Sequence, residues 1–120
     1  MQVERGEIYF VYLDPVFGRE LGGYKSRPVV VLSINDINSK PLVVTVVPGT
    51  STKGYSRPFR NVVVVPPTNT NGLKEETSFE CHQLRAIDKG RLTVGPIGRL
   101  SPQHLTAIES AAKYSLGLLS

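Results

Sequence analysis

Tryptophan is absent from these 120 residues, cysteine and methionine occur once each and histidine twice. No stretch approaches the roughly 20 apolar residues that a membrane-spanning helix needs, so membrane insertion is not expected. The single cysteine, Cys81, excludes an intramolecular disulfide and any CxxC metal knuckle. Nothing therefore calls for an oxidising compartment, and a reducing cytoplasm is the expected setting. The first residues, Met1 to Glu7, carry acids and no apolar core of signal-peptide length, which argues against secretion. Neither His82 nor His104 has a carboxylate partner at metal-ligand spacing, so no metal site is expected. His82 follows Cys81 directly, which on a strand would turn it to the opposite face, so Cys81 reads as a small core residue rather than a nucleophile. Walker loops, GxSxG elbows and paired catalytic carboxylates are missing as well.

What the chain does contain is β-branched. Val, Ile and Thr supply 29 residues, in short runs separated by Gly, Pro, Asn and Ser, the pattern of an all-β core. The length fits one domain, residues 1–120. Strands are predicted at Glu7–Leu13, Pro28–Ser33, Leu42–Val47, Asn61–Val65, Thr77–Leu84 and Arg91–Ile97, as in a small barrel. The second and third are continuous apolar runs, which predicts burial on both faces. The C-terminal end changes period: Ser101 and Pro102 supply an N-cap and first-turn proline, Leu100 and Leu105 a hydrophobic staple, and Leu105, Ile108, Ala112 and Leu116 a helical stripe. Gly117 stands where a closing C′ glycine belongs.

Three long connections remain, at 14–27, 49–60 and 66–76, and loops of that length carry function more often than short ones. The net charge of +4 favours an acidic or polyanionic partner. Arg19, Lys25 and Arg27 in the first connection, and Lys53, Arg57 and Arg60 among Tyr55 and Phe59 in the second, combine phosphate-tracking cations with aromatics on which single-stranded bases stack.

Read in order, Arg5-Gly6-Glu7-Ile8-Tyr9, Leu13-Asp14-Pro15, Gly18-x-Glu20 and Lys25-Ser26-Arg27-Pro28-Val29-Val30-Val31-Leu32-Ser33 resemble the N-terminal signature of the MazF/PemK (Kid) family of toxin endoribonucleases. Gln83-Leu84-Arg85-x-Ile87-Asp88-Lys89-x-Arg91-Leu92, Gly98-x-Leu100 and Ser115-Leu116-Gly117-Leu118 extend the likeness over nearly the whole chain. The resemblance implies a mainly β, SH3-like barrel with a C-terminal helix and a homodimer. It also implies metal-independent, cofactor-free cleavage of single-stranded RNA (mRNA) at short sequences, and a cognate antitoxin whose acidic disordered tail covers the RNA groove. The same fold includes toxins that poison DNA gyrase without cleaving RNA, which is the alternative activity.

By the same resemblance the catalytic arginine is Arg27, in the Arg-Pro motif, and the catalytic threonine is Thr50, with Thr52 the alternative register. Glu20 and His82 are candidates for the general base, Glu20 also for an ion pair that positions Arg27. Arg19, Lys25, Lys53, Tyr55, Arg57, Gln83 and Arg85 are expected to contact RNA, with an Arg85–Asp88 brace as the other reading of Arg85. The chain departs from the family pattern at His82 and Ala86, where relatives carry an acid and a threonine, and this bears on cleavage preference.

Overall fold

The computed structural model describes residues 2–23, 25–53 and 59–118. Seven strands form a curled antiparallel sheet: β1 (Glu7–Val11), β2 (Arg27–Val31), β3 (Val43–Ser51), β4 (Val62–Val65), β5 (Thr77–Glu80), β6 (Arg85–Asp88) and β7 (Gly98–Arg99). Their order is β4-β5-β3-β2-β1-β7, with β6 also paired to β3. A one-turn helix, α1 (Asn35–Asn38), links β2 to β3, and α2 (Pro102–Ser115) ends the fold. No described helix is long and apolar enough to cross a membrane.

Strand β3 organises the sheet because it is longer than any of its neighbours. Val43–Val46 pair with β6 and Gly49–Ser51 with β5, while Val46–Pro48 pair with β2. The β3 register shifts by three residues between β5 and β6, the length of the 3-10 turn Cys81–Gln83 that interrupts them. Pro48 sits at this change of partner, where a proline's missing N–H harms a ladder least.

The predicted two-faced burial of the central runs is observed at Val29–Val31 and at Val44, Val46 and Val47, while Leu42 and Val43 at the start of the third run are exposed. Val30 and Val47 enter one core with Phe79, Leu100 and Ile108, whereas Val29, Val31, Val44 and Val46 enter a second with Tyr9, Val11 and Leu13. Side chains alternate across a strand, so a run apolar at every position must be covered on both sides. Helix α2 closes the first core through Ile108, Ala111 and Ala112. The Ser101 hydroxyl accepts from His104 N, and Gly117, at φ 72°, lets Leu118 N reach Lys113 O at 2.8 Å. Both ends of the predicted helix are therefore capped as its sequence indicates.

Several boundaries differ from the expectation: β1 ends at Val11 and β2 at Val31, and β6 and α1 form where no element was expected. Residues 49–51 belong to β3 rather than to a loop, since β5 offers them a ladder. The expected strand Thr77–Leu84 stops at Glu80, where the 3-10 turn begins. Arg91–Ile97 is not a strand: the Asp88 side chain accepts from Gly90 N and starts a turn over Lys89–Arg91, and pairing with β1 resumes at Gly98.

Candidate active site

The β2–β3 ladder decides what faces what. Val29 opposes Pro48, Val30 opposes Val47 and Val31 opposes Val46, and the same register continued by two residues sets Arg27 opposite Thr50. The side chains meet, with Arg27 Nη1 donating to Thr50 Oγ1 at 3.1 Å. Arg27 Nε donates to Gly22 O at 2.6 Å, so the guanidinium is clamped between β3 and the β1–β2 connection. That connection folds back closely: a Cβ on Gly22 would lie 2.4 Å from Val16 Cγ2, and Gly23, at φ +100°, donates its N–H to Asp14 Oδ1 at 2.8 Å. Such contacts suit residues without side chains. Arg27 makes no ion pair among the described residues, and its Nη2 has no hydrogen-bond acceptor there.

The pair opens on a cleft of about 440 Å³ whose lining includes Phe10, Lys25, Ser26, Ser51, Lys74, Glu75 and Thr77. Lys74 Nζ lies 5.8 Å from the Phe10 ring centroid. The Ser51 hydroxyl donates to Glu75 Oε1, and Thr52 Oγ1 donates to Glu76 Oε1 at 2.9 Å. Thr52, the alternative to Thr50, is thus engaged away from the guanidinium. A half-buried cation backed by a hydroxyl, with further cations around it, can grip a phosphodiester through several charge-assisted hydrogen bonds.

The other candidates fall elsewhere. Arg19, Glu20, His82, Gln83 and Arg85 line a separate cavity of about 740 Å³, with Phe17, Leu21, Pro48 and Leu84. Glu20 does not pair with Arg27; its Oε1 accepts from Phe17 N at 3.0 Å. Gln83 Oε1 accepts from Leu21 N at 2.7 Å and its Nε2 donates to Arg19 O at 3.3 Å. Arg85 Nη1 donates to Leu13 O at 3.1 Å rather than bracing Asp88. These two side chains hold the β1–β2 connection in place, and Arg91 helps them by donating to Tyr12 O and Asp14 O. Lys53 is exposed, while Tyr55 and Arg57 lie outside the described residues. Phe59 meets the Tyr114 ring edge-on, and Arg60 lies over that ring 4.1 Å from its centroid.

Cys81 is fully buried, and burial, with Glu80 beside it, pushes its thiol up to about 12. It is a core residue with no thiolate to offer. Lys74, Glu75 and Ser51 were missed as site residues. Their only advance signal was the charged Lys74-Glu75-Glu76 run in the third connection and the hydroxyl next to Thr50.

Comparison with known proteins bears on family and fold. The family model described as "PemK-like, MazF-like toxin of type II toxin-antitoxin system" matches residues 4–116. Endoribonuclease MazF9 of Mycobacterium tuberculosis is 37% identical over 123 residues, covering 98% of this chain and 99% of that protein. Endoribonuclease EndoA of Bacillus subtilis is 31% identical over 119 residues, covering 99% and 98%. Among solved structures, a mycobacterial endoribonuclease in complex with its cognate antitoxin superposes with a TM-score of 0.76 at 23% identity, covering 98% of each chain. The family model and these relatives define the class as an endoribonuclease toxin. Within that class the chain belongs to the PemK-like, MazF-like toxin family of type II toxin-antitoxin systems.

Proposed function

We propose that the Arg27–Thr50 cleft cleaves single-stranded RNA at short sequences without a metal ion, using the 2′-hydroxyl of the substrate as nucleophile. The observation that carries this reading is the 3.1 Å contact between Arg27 and Thr50 on adjacent strands, inside a cleft rimmed by Lys25 and Lys74. RNA brings its own nucleophile, so the protein must supply alignment, proton transfer and cations for the charged phosphorane. Arginine is a poor base because it holds its proton above pH ~12, yet its planar fork holds two non-bridging oxygens at once. Arg27 therefore stabilises the transition state, and Thr50 sets the guanidinium and phosphate in register. The products are a 2′,3′-cyclic phosphate and a 5′-hydroxyl end.

The proposal extends to partners. The cationic cleft and the net charge of +4 suit an acidic, disordered antitoxin tail that competes with RNA. The exposed Leu116 and Leu118 at the end of α2 suit a homodimer interface. Action on mRNA places the protein in the cytoplasm. The test is incubation with a long RNA in EDTA followed by mapping of both ends. Cleavage should persist in EDTA and stop at a site whose 5′ nucleotide lacks its 2′-hydroxyl. Brisk cutting of an all-deoxy strand would overturn the mechanism, and gyrase inhibition without RNA cleavage would favour the alternative activity.

A further inference from the structure

Attack by the 2′-hydroxyl requires a group to take its proton. The group that takes it must line the cleft that holds Arg27 and Thr50, carry a free lone pair and be basic enough to accept. Glu20 and His82 line the other cavity rather than the one that holds Arg27 and Thr50. Among the described residues that line the Arg27 cleft, the remaining polar side chains are cations and neutral hydroxyls, with one exception. The exception is Glu75.

Resting on the proposed function, we infer that Glu75, oriented by Ser51, is the catalytic base of this ribonuclease. Ser51 follows Thr50 on β3 and donates its hydroxyl to Glu75 Oε1, while Oε2 accepts no hydrogen bond among the described residues. The segment that carries Glu75 is tied to the end of β3. Ser51 pairs with Thr77, Thr77 Oγ1 donates to Glu75 O at 3.0 Å, and Thr52 N donates to Glu76 O at 3.2 Å. The strand that presents Thr50 therefore also fixes the carboxylate. In the step, Glu75 takes the 2′-hydroxyl proton as the 2′-oxygen bonds to phosphorus. The bond from phosphorus to the 5′-oxygen breaks, its electron pair stays on that oxygen, and the oxygen takes a proton from water. Glu75 then releases its proton to solvent. Lys25 and Lys74, which line the same cleft, hold the phosphate near an anion that would otherwise repel it.

The experiment compares wild type, Glu75→Gln, Glu75→Asp, Ser51→Ala and Arg27→Ala by single-turnover cleavage of a short RNA across pH. Binding is measured in parallel on the same RNA made uncleavable by one 2′-deoxy nucleotide. Wild-type cleavage should fall with unit slope on acidification. Glu75→Gln should cut about 10²–10³-fold more slowly and lose that slope, yet bind the uncleavable RNA at least as tightly, because a general base acts on the rate and its removal deletes an anion. Glu75→Asp should keep part of the rate and shift the midpoint, and Ser51→Ala should fall between. If Glu75→Gln cuts at or above the wild-type rate, or keeps the acid slope, while Arg27→Ala is inactive, the base assignment is wrong and the cleft reading stands. Activity in Arg27→Ala removes the cleft reading itself. If Glu75→Gln does not fold, an unshifted midpoint in Glu75→Asp overturns the assignment.

Discussion

Replacing Arg27 by lysine keeps the charge and removes the fork, which isolates what the guanidinium geometry contributes. Arginine has five N–H donors and lysine three. In the folded protein Nε and Nη1 each donate one bond, to Gly22 O and Thr50 Oγ1, so three N–H groups of Arg27 remain for the phosphorane. A lysine that kept both partners would have one N–H left, and a lysine that reached for the phosphate would abandon them. The first loses two transition-state donors, while the second keeps three but gives up the contacts that preorganise them, and a single preorganised donor contributes about 3–4 kcal/mol, or about 10²–10³ in rate. The assay is single-turnover cleavage at saturating protein, with thermal melting and binding of uncleavable RNA as controls. The expected result is a drop of about that size in the cleavage rate, with binding within about threefold and an unchanged melting curve. A variant that cuts at nearly the wild-type rate, or whose loss lies wholly in binding, would refute the argument that the planar fork acts on the transition state.

Gln83→Ala removes the two bonds that hold the β1–β2 connection at Leu21 and Arg19, so stability should fall by about 1–2 kcal/mol and proteolysis within residues 17–23 should rise; unchanged protection there would contradict the role. Cys81 should make the protein less stable in alkali. Burial holds its proton to about 12 in the folded state, above the ordinary 9.0 of a free thiol, so the unfolded chain releases it first as pH rises. This loss, about tenfold in the folding equilibrium per pH unit within that window, adds to one from Tyr9, whose phenol burial and Glu7 also push up, so Cys81→Ala should reduce the alkaline slope of urea melts without abolishing it. Gly49→Ala would set a Cβ 2.6 Å from Thr77 Cγ2 beside Thr50, and should cost about 1–3 kcal/mol in melting stability; a neutral effect would mean that β5 yields freely.

The parts of the fold legible in the sequence are those specified locally. The caps, staple and stripe of α2 lie within one window of residues, and the apolar runs around Val30 and Val46 state their own burial. Arg27 and Thr50 were also legible, since each sits in a short ordered motif. The extension of β3 through Pro48 and Gly49 was not, because its partner is β5, some thirty residues further along. Glu75 escaped for the same reason: it reaches the cleft through Ser51, 24 positions away in the chain, and no local pattern encodes that contact. Gln83 and Arg85 were visible as polar side chains near a strand end, but only the folded chain shows that backbone carbonyls and amides of the first connection engage them.

The register that sets Arg27 across from Thr50 divides this molecule's labours. The two groups face each other across one rung of a ladder that continues between cores on both faces, whereas Arg19, Lys25 and Lys53, proposed to meet RNA, lie on connections that leave and rejoin it. On the proposed function, loop residues other than Gly22 and Glu75 can be exchanged, and the choice of target altered, without disturbing the alignment of guanidinium and hydroxyl. A barrel of this kind can change what it cuts while keeping how it cuts.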